Sequence, residues 1–195
     1  MQNLFKFDKL NFITAGMPIR TGKGSYPQAF DVLKEMNLDG MELEFVHGVR
    51  MSDDNRIFVK EMAKNFVITA HGPFYINLNS KEEEKIEASV QRIIDTAAVA
   101  AQAGAFSITY HAAFYMGGDK ETVFEQVKTQ TKRIIDILEN EKIKVWVRPE
   151  TTGKATQWGD IDEIINLSKE FEQVLPCVDF SHLHARSAGE YNTYD

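Results

Sequence analysis

The chain has 195 residues, 43% of them hydrophobic and 26% charged, and a net charge of −7. That length suits one domain with a sizeable core, and the excess of acid argues against the basic surface on which nucleic-acid binding ordinarily rests. Contact with DNA or RNA would need a local basic patch, or metal ions to supply the positive charge.

A single cysteine, Cys177, rules out an intrachain disulfide framework. The opening MQNLFKFDKLNF lacks the apolar stretch of a secretory signal. No apolar run approaches the ~18 residues of a membrane helix. A reducing, cytoplasmic setting away from membranes is expected.

Six short apolar runs alternate with helical patterns. LNFITAG (10–16) is the first strand, and a short helix fits 27–37. MELEFV (41–46) alternates, which sets Glu42 and Glu44 on one face of a second strand. After a short helix over 54–65, FVITAH (66–71) is the third strand. Residues 81–103 follow as a helix with Ser80 as N-cap, acidic residues in the first turn, and Ile86, Val90, Ile93, Ile94 and Ala97 at helical spacing. FSITYH (106–111) is the fourth strand. The helix over 119–140 starts at Asp119 and repeats with Val123, Val127, Ile134 and Leu138. KVWVRPE (144–150) is the fifth strand. Residues 160–173 begin at Asp160 and are expected to bury Ile161, Ile164, Ile165 and Phe171. PCVDFSH (176–182) reads as the sixth strand, and SAGEYNTYD as a loop running into a helix start.

Strand and helix in strict alternation mean parallel β-α units. An open doubly wound sheet and a closed (β/α)8 barrel both use them. The TAGMP loop after the first strand is no dinucleotide fingerprint, because G-x-G-x-x-G is absent. A closed barrel usually needs about 250 residues. A TIM-barrel reading therefore leaves residues 1–195 as a single incomplete domain of about six units. A longer gene product, or a second chain completing the barrel, would supply the rest.

The strand ends carry the chemistry. His71 ends the third strand, His111 the fourth, Glu150 the fifth, and Asp179 with His182 the sixth. Parallel strands present their C-termini at one pole, where α/β active sites form. Imidazole and carboxylate suit Zn, and also Mn or Fe. Asp179 lies in an apolar run, where a carboxylate must find partners. His47 reads as a loop residue, Trp158 as packing, and His184 as ligand or neighbour of a ligand equally.

AHGPFYINL, YHAAFY, RPETTGKATQWG and CVDFSHLHA resemble, in order, motifs of the endonuclease IV family of abasic-site endonucleases, within the xylose isomerase-like TIM barrels. The resemblance implies that His71, His111 and Glu150 complete one zinc site. It also implies that Glu150, the residue expected to be catalytic, bridges to a second ion bound by Asp179, and that His182 belongs to a third. Two or three zinc ions in a complete barrel would hydrolyse a phosphodiester 5′ to an abasic site in DNA. Phe74 and Tyr75 would enter the duplex, and Arg186 and Lys154 could touch phosphate. The sequence departs from the family at HAA, where H-P-G is usual, and at ETTG, where E-N-T-A-G is usual. The family's ligands from the seventh and eighth strands have no counterpart.

The rival reading is a divalent-metal-dependent isomerase or epimerase acting on a small sugar or sugar phosphate on the same barrel, which the acidic charge favours. A third is a non-enzymatic metal-binding domain.

Overall fold

The computed structural model describes residues 7–193. The first six residues of the opening segment and the last two of the terminal loop lie outside them. Five parallel strands form the main sheet: β1 (Ile13–Thr14), β2 (Gly40–Glu44), β3 (Val67–His71), β4 (Ser107–Tyr110) and β6 (Trp146–Pro149). Their spatial order is β1-β2-β3-β4-β6. Each strand sits beside its predecessor, without the reversal that defines a doubly wound sheet. This is the sequential winding of a TIM barrel, and its described part is a partial one.

Helices α1 (Tyr26–Glu35), α2 (Asp53–Met62), α3 (Glu83–Gln102), α4 (Lys120–Asn140) and α5 (Ile161–Glu170) form the outer layer. Their apolar stripes meet the outward residues of the strands. Ile93, Ala97, Ile108, Val127, Ile134, Leu138 and Val147 are fully buried. At Gly40, β2 and β3 come so close that a Cβ would lie 1.8 Å from the Val67 carbonyl oxygen, so only glycine fits.

Three expectations are corrected. Residues 176–182 do not form a strand. Isolated parallel bridges join Val147 to Val174 and Glu150 to Cys177, and Phe180–Arg186 is a helix, α6. The long helix begins at Glu83 with Glu82 as N-cap, and Ser80 instead accepts the Glu82 N–H at 3.2 Å. Ile165 is exposed, because α5 turns Ile164 and Leu167 inward.

The sequence pattern also carried no sign of a two-stranded antiparallel pair, β5 (Ala113–Phe114) with β7 (Gln157–Trp158). It ties the loops after β4 and β6 together and buries Trp158 completely. No helix among the described residues is long and apolar enough to cross a membrane.

Candidate metal centre

The inward residues of the strands follow from register. Glu44 pairs with His71, His71 with Thr109, and Thr109 with Arg148. Side chains two positions apart along a strand share a face, so His111 and Glu150 continue the same inward rows. The rim therefore receives His71 from the end of β3, His111 just beyond β4, and Glu150 just beyond β6.

Glu150 is the junction. Its Oε2 lies 3.1 Å from His71 Nε2 and 3.2 Å from His111 Nε2. Its Oε1 lies 3.5 Å from His182 Nδ1, which is itself 3.5 Å from Asp179 Oδ2. Glu150 as a residue is only 8% exposed. Among the described residues, His71, His111 and Glu150 form one group able to hold a metal ion, and Glu150, Asp179 and His182 form another. Within each group the ligand atoms lie no more than 4.8 Å apart. Each oxygen of Glu150 faces one group.

The tautomers are set locally. His71 Nδ1 donates to the Gly72 carbonyl at 2.7 Å, leaving the Nε2 lone pair aimed at Glu150. Two lone-pair-bearing atoms at that distance need a cation between them, either a proton or a metal. Without a metal the proton serves. Burial opposes the charged imidazole, but the hydrogen bonds to Glu150 and Gly72 and the nearby negative charge of Glu150 and Glu42 outweigh it, lifting His71 to about 9. Burial likewise opposes ionised Glu150, yet His111 and His71 together hold its carboxyl down at about 2. A metal ligand with its second ring nitrogen bonded to a carbonyl is the ordinary arrangement at metal sites, so these residues fit a divalent ion.

Asp179 is the N-cap of α6. Its Oδ1 accepts the His182 N–H at 2.9 Å, which places His182 in the first helical turn rather than at a strand end. His182 Nδ1 donates to the Thr151 carbonyl at 2.8 Å, so Nε2 keeps the lone pair. Gly153 leaves room for this ring: a Cβ there would lie 3.1 Å from His182 Cδ2.

The remaining expected residues divide. Phe74 and Tyr75 stand at the rim, 57% and 62% exposed, and the Phe74 ring centre is 6.4 Å from that of His71. Arg186 is turned into the protein. Its Nη1 donates to the carbonyls of Lys154 at 2.8 Å and Gln157 at 2.9 Å, closing the loop between β6 and β7 onto α6. Lys154 and His47 are exposed. His184 Nδ1 bonds the Glu190 carbonyl at 2.9 Å, away from the cluster.

Two residues near the site had no assigned role in the sequence reading. Glu42, on the inward face of β2, accepts the Thr69 hydroxyl at 2.9 Å, and burial raises its pKa despite that bond. The alternation of MELEF signalled its orientation but not its neighbours. The Cys177 thiol is pushed up to about 11 by burial, so at neutral pH it is a thiol rather than a thiolate ligand.

Residues 30–193 match the family model of the xylose isomerase-like TIM barrels. The chain belongs to that family. It is 46% identical over 186 residues to the uncharacterized protein MJ0133 of Methanocaldococcus jannaschii, covering 95% of this chain and 67% of that protein. Among solved structures it superposes on a D-tagatose 3-epimerase-like protein with a TM-score of 0.72 at 16% identity, covering 92% of this chain and 68% of the other. Endonuclease IV of Thermus thermophilus gives a TM-score of 0.69 at 17% identity, with coverage of 90% and 65%. The chain thus spans about two thirds of the length of each. The two structures share its fold; their identities are too low to carry a function.

Proposed function

We propose that the chain carries an endonuclease IV-like site for metal-dependent hydrolysis of a phosphodiester at abasic sites in DNA, with zinc as the metal. The observation that carries this reading is the double membership of Glu150: it belongs to one group able to hold an ion with His71 and His111, and to another with Asp179 and His182. A bridging carboxylate between two ions suits phosphoryl chemistry, where attacking and leaving oxygens both need charge stabilisation. His71, His111 and Glu150 would hold the first ion, Glu150 and Asp179 the second, and His182 would turn its free Nε2 towards a third.

A divalent ion in such a site supplies Lewis-acid stabilisation of phosphate charge and an acidified water. The protein's part is to hold the ligands in fixed tautomers, to keep Glu150 ionised, and to present Phe74 and Tyr75 beside the reacting centre. Exposed aromatic rings there suit stacking against bases of a distorted duplex. Bound metal ions would also supply positive charge to a chain whose net charge is −7.

The test is incision of a duplex bearing one tetrahydrofuran abasic analogue. Cleavage is expected with zinc loaded, and is expected to disappear on chelation and in His111→Ala. Cutting that survives chelation would overturn the reading.

A second reading has one specific support. The group Glu150, Asp179 and His182, two carboxylates and an imidazole, suits a single divalent ion organising a sugar isomerase or epimerase. One bound Mn²⁺ per chain, with interconversion of a ketose and its epimer, would select it.

A further inference from the structure

Thr151 follows Glu150 and is fully buried. It stands at the position where the ETTG motif departs from the family's asparagine, and its hydrogen bonds all run to neighbours of the cluster. Its Oγ1 accepts the Asp179 N–H at 2.8 Å and donates to the Asp179 carbonyl at 3.1 Å. Its own carbonyl accepts from His182 Nδ1 at 2.8 Å. Its N–H donates to the Cys177 carbonyl at 3.0 Å.

We infer that Thr151 is the positioning residue of the second ligand group: it fixes the backbone of Asp179 and the ring tautomer of His182 relative to Glu150. This inference rests on the metal-site reading above. The physical reason is where the backbone pairing stops. Residues 173–177 run beside β6 through backbone hydrogen bonds of Val147 to Gln173, Leu175 to Val147, Cys177 to Pro149 and Thr151 to Cys177, and none of these reaches Asp179, two residues further on. One buried hydroxyl, bonded to both backbone polar groups of Asp179, extends the connection to it. A hydroxyl can accept from one group and donate to another; losing it would leave the Asp179 N–H without its partner, while the Asp179 carbonyl keeps the Leu183 N–H at 3.1 Å. Outer partners of metal ligands commonly govern affinity by about 10–100-fold.

The test compares the wild-type chain with Thr151→Val, which keeps shape and removes the hydroxyl, and Thr151→Ser, which restores it. Co²⁺ is titrated into the chelator-stripped proteins and followed by visible absorbance, with metal counted by elemental analysis. Amide exchange at Asp179 is measured without metal.

In Thr151→Val, exchange at the Asp179 amide should quicken about tenfold or more, and Co²⁺ affinity at the Asp179 group should fall about 10–100-fold. Binding that depends on His71 and His111 should persist. Thr151→Ser should recover both readouts. If the valine variant does not melt cooperatively, Thr151→Ala removes the same hydroxyl in a smaller side chain.

Wild-type Co²⁺ affinity and Asp179 protection in the variants lacking the hydroxyl would overturn the inference while leaving the metal reading intact. A wild-type chain that takes up no Co²⁺ would overturn both.

Discussion

Glu150 combines burial with contacts to three imidazoles, and the behaviour of the site at the residue scale follows from that. Glu150→Gln keeps the shape but removes the charge that both ligand groups share. Zinc affinity should fall at both, by more than about 100-fold in total if each loses the factor typical of a disrupted metal shell; titration calorimetry of the stripped chain checks this. The pH dependence of the metal-free chain has a definite sign. His71 is raised from 6.5 to about 9, so its contribution to stability is complete below 6.5 and is lost as the pH rises through 9. Glu150 is lowered from 4.5 to about 2, so its contribution is complete above 4.5 and is lost as the pH falls through 2. The two describe one contact, which is therefore strongest between pH 4.5 and 6.5. Thermal melts in chelator should show a maximum there. With zinc present the alkaline decline should vanish, because the ion takes the place of the His71 proton. The placing of His71, His111 and Glu150 was legible at this scale because imidazole and carboxylate at the ends of apolar runs are local facts of sequence. Arg186 was not: whether a guanidinium meets phosphate or its own backbone depends on where α6 lies against the loop between β6 and β7.

The elements are held by caps and by one unexpected loop pair. Asp160 begins α5 with a reciprocal box, accepting the Glu163 N–H at 2.9 Å while Glu163 Oε2 accepts the Asp160 N–H at 3.0 Å. Glu163 Oε1 also accepts the Tyr115 hydroxyl at 2.6 Å, binding the loop after β4 to the start of α5. Asp160→Ala should cost about 1 kcal/mol, the usual loss for an N-cap. Urea unfolding monitored by circular dichroism would show it as a lower midpoint with an unchanged slope. Starts of this kind were readable, because Asp119 and Asp160 are cap residues placed just ahead of apolar periodicity. The sixth apolar run misled for an equally physical reason. CVDFSH is short and apolar, and periodicity alone cannot separate such a run from a helix. Asp179 capping the His182 N–H decides it in favour of α6. The β5–β7 pair lies beyond sequence reading for another reason: its partners are far apart in the chain, and each contributes only two residues.

At the scale of the molecule, stability rests on the layer between the sheet and its helices. Ile93, at 0% exposure in α3, packs in that layer. Ile93→Ala should destabilise by about 2–5 kcal/mol, as large-to-small changes in close-packed cores do, and should leave zinc stoichiometry unchanged in whatever fraction stays folded. A melt followed by the fluorescence of Trp146 and Trp158, together with metal analysis, would separate the two effects. The sequential strand order also explains why one pole collects His71, His111 and Glu150: each parallel strand brings its C-terminal end to the same rim.

The sequence by itself determined the alternation of strand and helix and the residue types available at the rim, because hydrophobic period, caps and turn residues act over a few neighbours. That alternation fits an open sheet as well as a barrel, and it was the motif resemblance that pointed to the barrel. Only the tertiary structure decided that the two oxygens of Glu150 face different groups, that Asp179 and His182 sit on a helix start, and that Thr151 ties them to Glu150. Those facts depend on register and tilt between segments many residues apart. No local pattern encodes them, and they are set when the strands close against their helices.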